Sequence, residues 1–121
     1  MADNLVTREI RRLNAATRVS LKGLRMCWQN EAAFRFEVLL AVFFIPLGLW
    51  LGASPAEKAL LAGTSIIVMI VEVLNSGIEA VVDRIGQEKH ELSALAKDLG
   101  SAAVLLSMVL FWLVWGLILF L

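Results

Sequence analysis

The chain has 121 residues, 60% of them apolar and 18% charged, and its eleven basic and eleven acidic residues cancel to zero formal net charge. Soluble domains run at about 45–50% apolar and about 25% charged, and a globule this small has too little interior to hide the excess. An ordinary soluble enzyme is therefore excluded, the charge balance favours no nucleic-acid partner, and the bilayer becomes the expected solvent.

Residues 5–28 form the first expected element. At about 100° per residue on a helical wheel, Arg11, Arg18, Lys22 and Arg25 fall within roughly a 60° arc. Val6, Ile10, Leu13, Leu21, Leu24 and Trp28 gather on another sector. A basic face beside an apolar one describes an amphipathic helix lying in the membrane surface. Its charges either anchor the chain and set topology, or meet phosphates.

Three spans follow, each long enough for the roughly 20 residues that crossing requires. The uncharged run VLLAVFFIPLGLWLGASPA (38–56) carries the first span, at 36–54. Pro46 inside it should bend the helix or need help with a freed carbonyl. Ser54 and Pro55 suit the N-cap and first turn of the next helix, which makes 57–83 the second span with a cytoplasmic extension. Residues 84–98, RIGQEKHELSALAKD, form a polar connection in which Gly86 offers a helix stop and Ser93 a restart. The uncharged run 99–121 is the third span.

Seven of the basic residues (Arg8, Arg11, Arg12, Arg18, Lys22, Arg25, Arg35) precede or open the first span, whereas the first connection holds Lys58 alone. The positive-inside rule then puts the N-terminus and the 84–98 connection in the cytoplasm, and the C-terminus outside. Trp50, Trp112 and Trp115 fall towards the outer ends of their spans, as an aromatic belt requires. Ala59/Gly63 and Ala96/Gly100 are small-residue pairs that permit close helix approach.

An acid within a span is costly and normally functional. Glu72, Asn75 and Glu79 share one helix face, and Asp83 extends the row towards water. The row descends about 16 Å along the axis from Asp83 to Glu72, at about 1.5 Å per residue. Glu31 adds another acid where the surface helix meets the first span. Such hard oxygen ligands suit Mg²⁺. Cys27 and His90 each stand alone, so no intrachain disulfide and no His-rich zinc site is expected. Neither a P-loop nor a GxGxxG motif is present. One intramembrane glutamate would also serve a small proton-coupled transporter, which needs no acid row at its mouth and consumes no ATP.

Glu72 to Asp83, EVLNSGIEAVVD, resembles the signature of the prokaryotic diacylglycerol kinases, small three-span membrane enzymes. KGLR (22–25), NEAAFR (30–35), HEL (90–92), AKD (96–98) and GSAAV (100–104) extend the likeness to the Gram-negative type over nearly the whole chain. Gly77 stands where alanine is commoner. The resemblance implies an all-α homotrimeric bundle in the bacterial inner membrane, its active sites shared between subunits. It also implies transfer of phosphate from ATP, with Mg²⁺, to diacylglycerol. A polyprenol acceptor, undecaprenol, is the alternative within the same family.

By the same resemblance, Glu72 is the catalytic base, and Glu31 and Glu79 hold the metal and through it ATP. Arg12, Val19, Glu88, Lys89, His90, Lys97 and Asp98 fall at nucleotide-contacting positions. Lipid-contacting positions are Arg12, Ala16, Ser20, Leu21, Arg25, Trp28, Ala33, Glu37, Trp50, Glu72, Ser101 and Trp115. Asn75 and Asp83 support the site.

Overall fold

A computed structural model describes residues 4–121, and every regular element among them is a helix: α1 Leu5–Asn30, α2 Ala32–Leu51, α3 Pro55–Ile85 and α4 Glu91–Phe120. Helices α2, α3 and α4 are each long and apolar enough to cross a membrane. The chain is a three-span membrane protein with an amphipathic helix before the first span.

Local chemistry sets the helix ends. Asn4 caps α1 by accepting a hydrogen bond from the Thr7 amide at 2.7 Å. Ser54 accepts from the Glu57 amide at 3.2 Å, while the Glu57 carboxylate accepts from the Ala53 amide at 2.7 Å. This reciprocal cap satisfies donors that a helix start leaves orphaned, and Pro55 occupies the first turn as expected.

All four helices differ at their ends from the sequence expectation. Helix α1 continues to Asn30, and α2 occupies 32–51 rather than 36–54. Helix α3 begins at Pro55 and runs to Ile85. The polar connection shrinks to 86–90, because α4 restarts at Glu91 with His90 as its cap rather than at Ser93. The imidazole Nδ1 accepts from the Leu92 amide at 3.1 Å, a role that histidine can take over from serine when Nδ1 is unprotonated. Residues 91–98 are polar because they form the solvated first turns of a helix, not because they form a loop. Pro46 sits within α2, which stays helical on both sides of it.

Helix α3 is central and packs along both α2 and α4. Its core is Leu61, Val68, Phe111 and Trp115, flanked by Phe44, Leu47 and Met108. Helices α2 and α4 meet through aromatic edges, Phe44 against Phe111 at 5.1 Å and against Trp115 at 5.2 Å between ring centres. Trp115 is 3% exposed, and its indole nitrogen donates to the Leu61 carbonyl at 3.1 Å. It therefore locks α4 to α3 instead of standing in an aromatic belt. Trp50, by contrast, is exposed at the end of α2. The apolar face of α1 (Val6, Ile10, Leu13, Leu21) is exposed among the described residues, and Cys27 is the one residue of α1 buried by them. A helix of this kind buries that face in the membrane interface.

Candidate active site: a carboxylate row from bilayer to water

Glu72 is buried on α3, and the charged groups whose fields reach it are Glu37, Glu79 and Glu31. Three elements thus bring carboxylates to one locus: α3 with Glu72 and Glu79, α2 with Glu37, and the α1–α2 elbow with Glu31. One helical turn beyond Glu72, Asn75 donates through Nδ2 to Glu79 Oε1 at 3.4 Å. Its Oδ1 is buried with no hydrogen-bond partner, pressed against Gly100 of α4, where a Cβ would collide with that oxygen. Gly100 therefore lets the asparagine sit between two spans.

A second chain of contacts ties α1 to the same place. The Cys27 thiol donates to Ser76 Oγ at 3.7 Å, and Ser76 Oγ donates to the Glu72 carbonyl at 3.0 Å. Burial pushes the Cys27 thiol up from its ordinary value; the Ser76 hydrogen bond opposes this, and the negative Glu31 and Glu72 reinforce it. Glu31 itself has extended backbone between α1 and α2, and its side chain makes no capping hydrogen bond to α2.

The carboxylates fit a hard divalent cation. Among the described residues no group of three or more His, Cys, Asp or Glu could hold a metal. Mg²⁺ does not need one, since it usually takes one or two carboxylates and completes its shell with phosphate and water. Glu31, whose side chain makes no capping hydrogen bond, and Glu79, which takes one long hydrogen bond from Asn75, carry donors of that kind.

Towards the polar end of α3, Asp83 accepts a hydrogen bond from Lys97 Nζ of α4 at 2.8 Å. A cleft of about 550 Å³ opens there, lined by Asp83, Glu88, Lys89, His90 and Lys97 among others. A groove of about 630 Å³ lies between the end of α1 and the spans, lined by Arg25, Trp28, Phe34, Val38, Ile70 and Leu74 among others. The cleft takes in Asp83 at the end of the acid row, and the groove runs along Ile70, Val73 and Leu74 of the same helix.

Residues 18–119 match the family described as prokaryotic diacylglycerol kinase. The chain belongs to that family. The diacylglycerol kinase of Escherichia coli K12 is 47% identical over 119 residues, covering 98% of this chain and 96% of that protein. The Haemophilus influenzae diacylglycerol kinase is 49% identical over 87% of this chain and 89% of its own length. That of Pseudomonas aeruginosa is 44% identical over 91% and 89%. Membership decides between the two function classes left open above: the chain is a lipid kinase of the diacylglycerol kinase class, not a transporter.

The positions expected in a prokaryotic diacylglycerol kinase site distribute unevenly over the single chain. Glu37, Glu79 and Glu31 lie within electrostatic reach of Glu72. Glu88, Lys89, His90 and Lys97 line one cleft with Asp83. Arg25 and Trp28 line the apolar groove. Glu37 opens instead into a separate cavity of about 340 Å³, with Leu40, Ser65, Phe111 and Trp112. Arg12 lies exposed on α1, 3.8 Å from Glu9. Ala16, Val19, Ser20 and Leu21 are likewise exposed on α1, as are Ala33 on α2 and Asp98 and Ser101 on α4. Ser20 bonds back to the Ala16 carbonyl at 2.8 Å. Trp50 and Trp115 lie in the far half of the spans.

Sequence reasoning did not assign Gly100, Ser76 or Arg35 to the site. The Ala96/Gly100 pair was a signal for the first, since small residues mark close approach. A Cβ at Gly63, in the companion pair, would meet nothing within 4 Å among the described residues.

Proposed function

We propose that the chain transfers the γ-phosphoryl group of Mg-ATP to the free hydroxyl of 1,2-diacylglycerol, giving phosphatidic acid and ADP. The observation that carries this reading is the placement of Glu72: a buried carboxylate at the inner end of an acid row whose outer end is a polar cleft. Phosphoryl transfer needs positioning and charge neutralisation more than covalent help. Glu72 takes the proton of the lipid hydroxyl as its oxygen attacks the γ-phosphorus. Asn75 orients Glu79, and Glu31 and Glu79 hold the metal. Bound Mg²⁺ supplies charge neutralisation at the phosphates. Lys97, Lys89, His90 and Glu88 receive the nucleotide, with Asp98, Arg12 and Val19 contributed at the same site. The apolar groove at Arg25 and Trp28 takes the acyl chains.

The protein works as a homotrimer in the bacterial inner membrane, N-terminus cytoplasmic and C-terminus periplasmic, with sites shared between subunits. Two features support sharing. Much of the apolar surface of the spans is uncovered within one chain, and Asp98 and Arg12 lie outside the cleft that the chain builds for itself.

The test separates the two glutamates. E72Q keeps shape but removes the base, and general-base catalysis contributes about 10²–10⁴ in rate. Turnover should fall by that order with nucleotide affinity nearly unchanged. E79Q deletes a hard anionic ligand, so magnesium and nucleotide affinity should fall with rate. Binding of a non-hydrolysable ATP analogue across a magnesium series decides. Loss of nucleotide binding in E72Q with retention in E79Q reverses the roles.

A further inference from the structure

Arg35 lies on the first turn of α2 but serves α1. Its Nη1 donates to the Trp28 carbonyl at 2.8 Å and to the Gln29 carbonyl at 3.3 Å. These belong to the last turn of α1, whose final carbonyls have no partners within the helix. That turn holds no basic residue of its own. A guanidinium there both satisfies the orphaned carbonyls and complements the negative end of the helix dipole. Arg35 makes no ion pair among the described residues, and the strap crosses Glu31, the single residue between the two helices.

Glu31 occupies the N-cap position of α2, where shorter side chains such as Asp, Asn, Ser or Thr turn back to accept hydrogen bonds from the first free amides. The longer glutamate makes no such bond, and its carboxylate stays uncommitted. The elbow is closed instead by backbone: the Glu31 amide donates to the Cys27 carbonyl at 2.9 Å, and the Arg35 amide donates to the Glu31 carbonyl at 3.2 Å.

We infer that Arg35 is a positioning residue for the metal. By strapping the end of α1 to α2 it holds the elbow extended and keeps the Glu31 carboxylate turned to the site rather than folded onto the start of α2. The inference rests on the reading of Glu31 as a metal ligand. Groups that orient a ligand typically matter about 10–100-fold in metal affinity, so R35Q should behave as a partial loss of Glu31.

The experiment titrates Mn²⁺ into full-length protein in lipid nanodiscs with a non-hydrolysable ATP analogue. Free Mn²⁺ is read by electron paramagnetic resonance in wild type, R35Q, R35K, E31Q and R35Q/E31Q. E31Q should weaken Mn²⁺ binding about tenfold or more, and R35Q by an amount within the range above. The double variant should be no weaker than E31Q alone, because Arg35 acts through Glu31. R35K keeps the charge on a side chain one bond shorter and should fall between wild type and R35Q. Amide exchange at residues 30–32 should quicken in R35Q as the elbow loosens. Wild-type Mn²⁺ affinity in R35Q, or losses that multiply in the double variant, overturns the inference while leaving the metal role of Glu31 intact. Wild-type affinity in E31Q removes that role and this inference with it. If R35Q does not assemble, R35K decides alone: a several-fold weakening supports the strap, and unchanged affinity overturns it.

Discussion

Asn75 serves two demands with one amide: Nδ2 reaches Glu79, and Oδ1 lies against the bare Cα of Gly100. G100A puts a methyl group onto that oxygen. The obstructed atom is the end of a side chain, so the amide swings away more readily than two spans part. Misplacement of a catalytic group by about 1 Å costs about 100-fold, so G100A should lose turnover towards that order with little change in thermal unfolding midpoint. A large loss of stability with normal specific activity contradicts this. Cys27 offers a check on the neighbouring contacts. The thiolate is the reactive form, and burial, with Glu31 and Glu72 nearby, raises the thiol above its usual range. Maleimide should therefore label native protein slowly at neutral pH, faster as pH rises, and readily once the protein is unfolded. Rapid neutral labelling of the native protein means that α1 does not dock on Ser76.

At the scale of elements, a close approach that involves backbone joins α2 to α3. A Cβ at Gly48 would sit 2.8 Å from the Leu61 Cβ and 3.2 Å from its carbonyl carbon. Leu61 is fully buried and its carbonyl already accepts from Thr64 Oγ1 and Trp115 Nε1, each at 3.1 Å. Backbone cannot give way as a side chain can, so in G48A the helices must separate. Overpacking of this kind costs about 1–3 kcal/mol. Unfolding of purified G48A in mixed micelles should show that loss, with most activity retained in the folded fraction. The same crowding explains why Ser65 Oγ is buried without a partner: the carbonyl four residues back, its usual acceptor, already has two side-chain donors.

For the whole molecule, a shared site predicts complementation. E72Q should be inactive for want of the base, and D98N for want of a nucleotide contact that does not line its own chain's cleft. Unfolded together and refolded at equal ratio, the two should regain activity that neither has alone, because some sites then draw intact residues from different subunits. Separately refolded and then mixed samples serve as the control. Absence of recovery after co-assembly places Glu72 and Asp98 in one subunit's site.

Much of this architecture was legible before any coordinates. Long uncharged runs exist because the bilayer demands them, so three spans follow from hydropathy alone. The row at 72, 75, 79 and 83 follows from helical period, and the amphipathic first helix from the arc of its charges. Caps were legible where the chemistry is common, as at Ser54 and Pro55, and missed where it is rare, as at His90. What only the tertiary structure decided lies between residues far apart in the chain: Gly100 against Asn75, Trp115 on the Leu61 carbonyl, Cys27 on Ser76. Such contacts depend on how each helix is rotated and shifted against its neighbours. Local pattern does not carry that information, because any face of an apolar helix satisfies lipid equally well. Arg35 falls between the two cases, a short-range contact that sequence counted only as charge, because its partners are backbone carbonyls exposed by a helix end that composition does not mark.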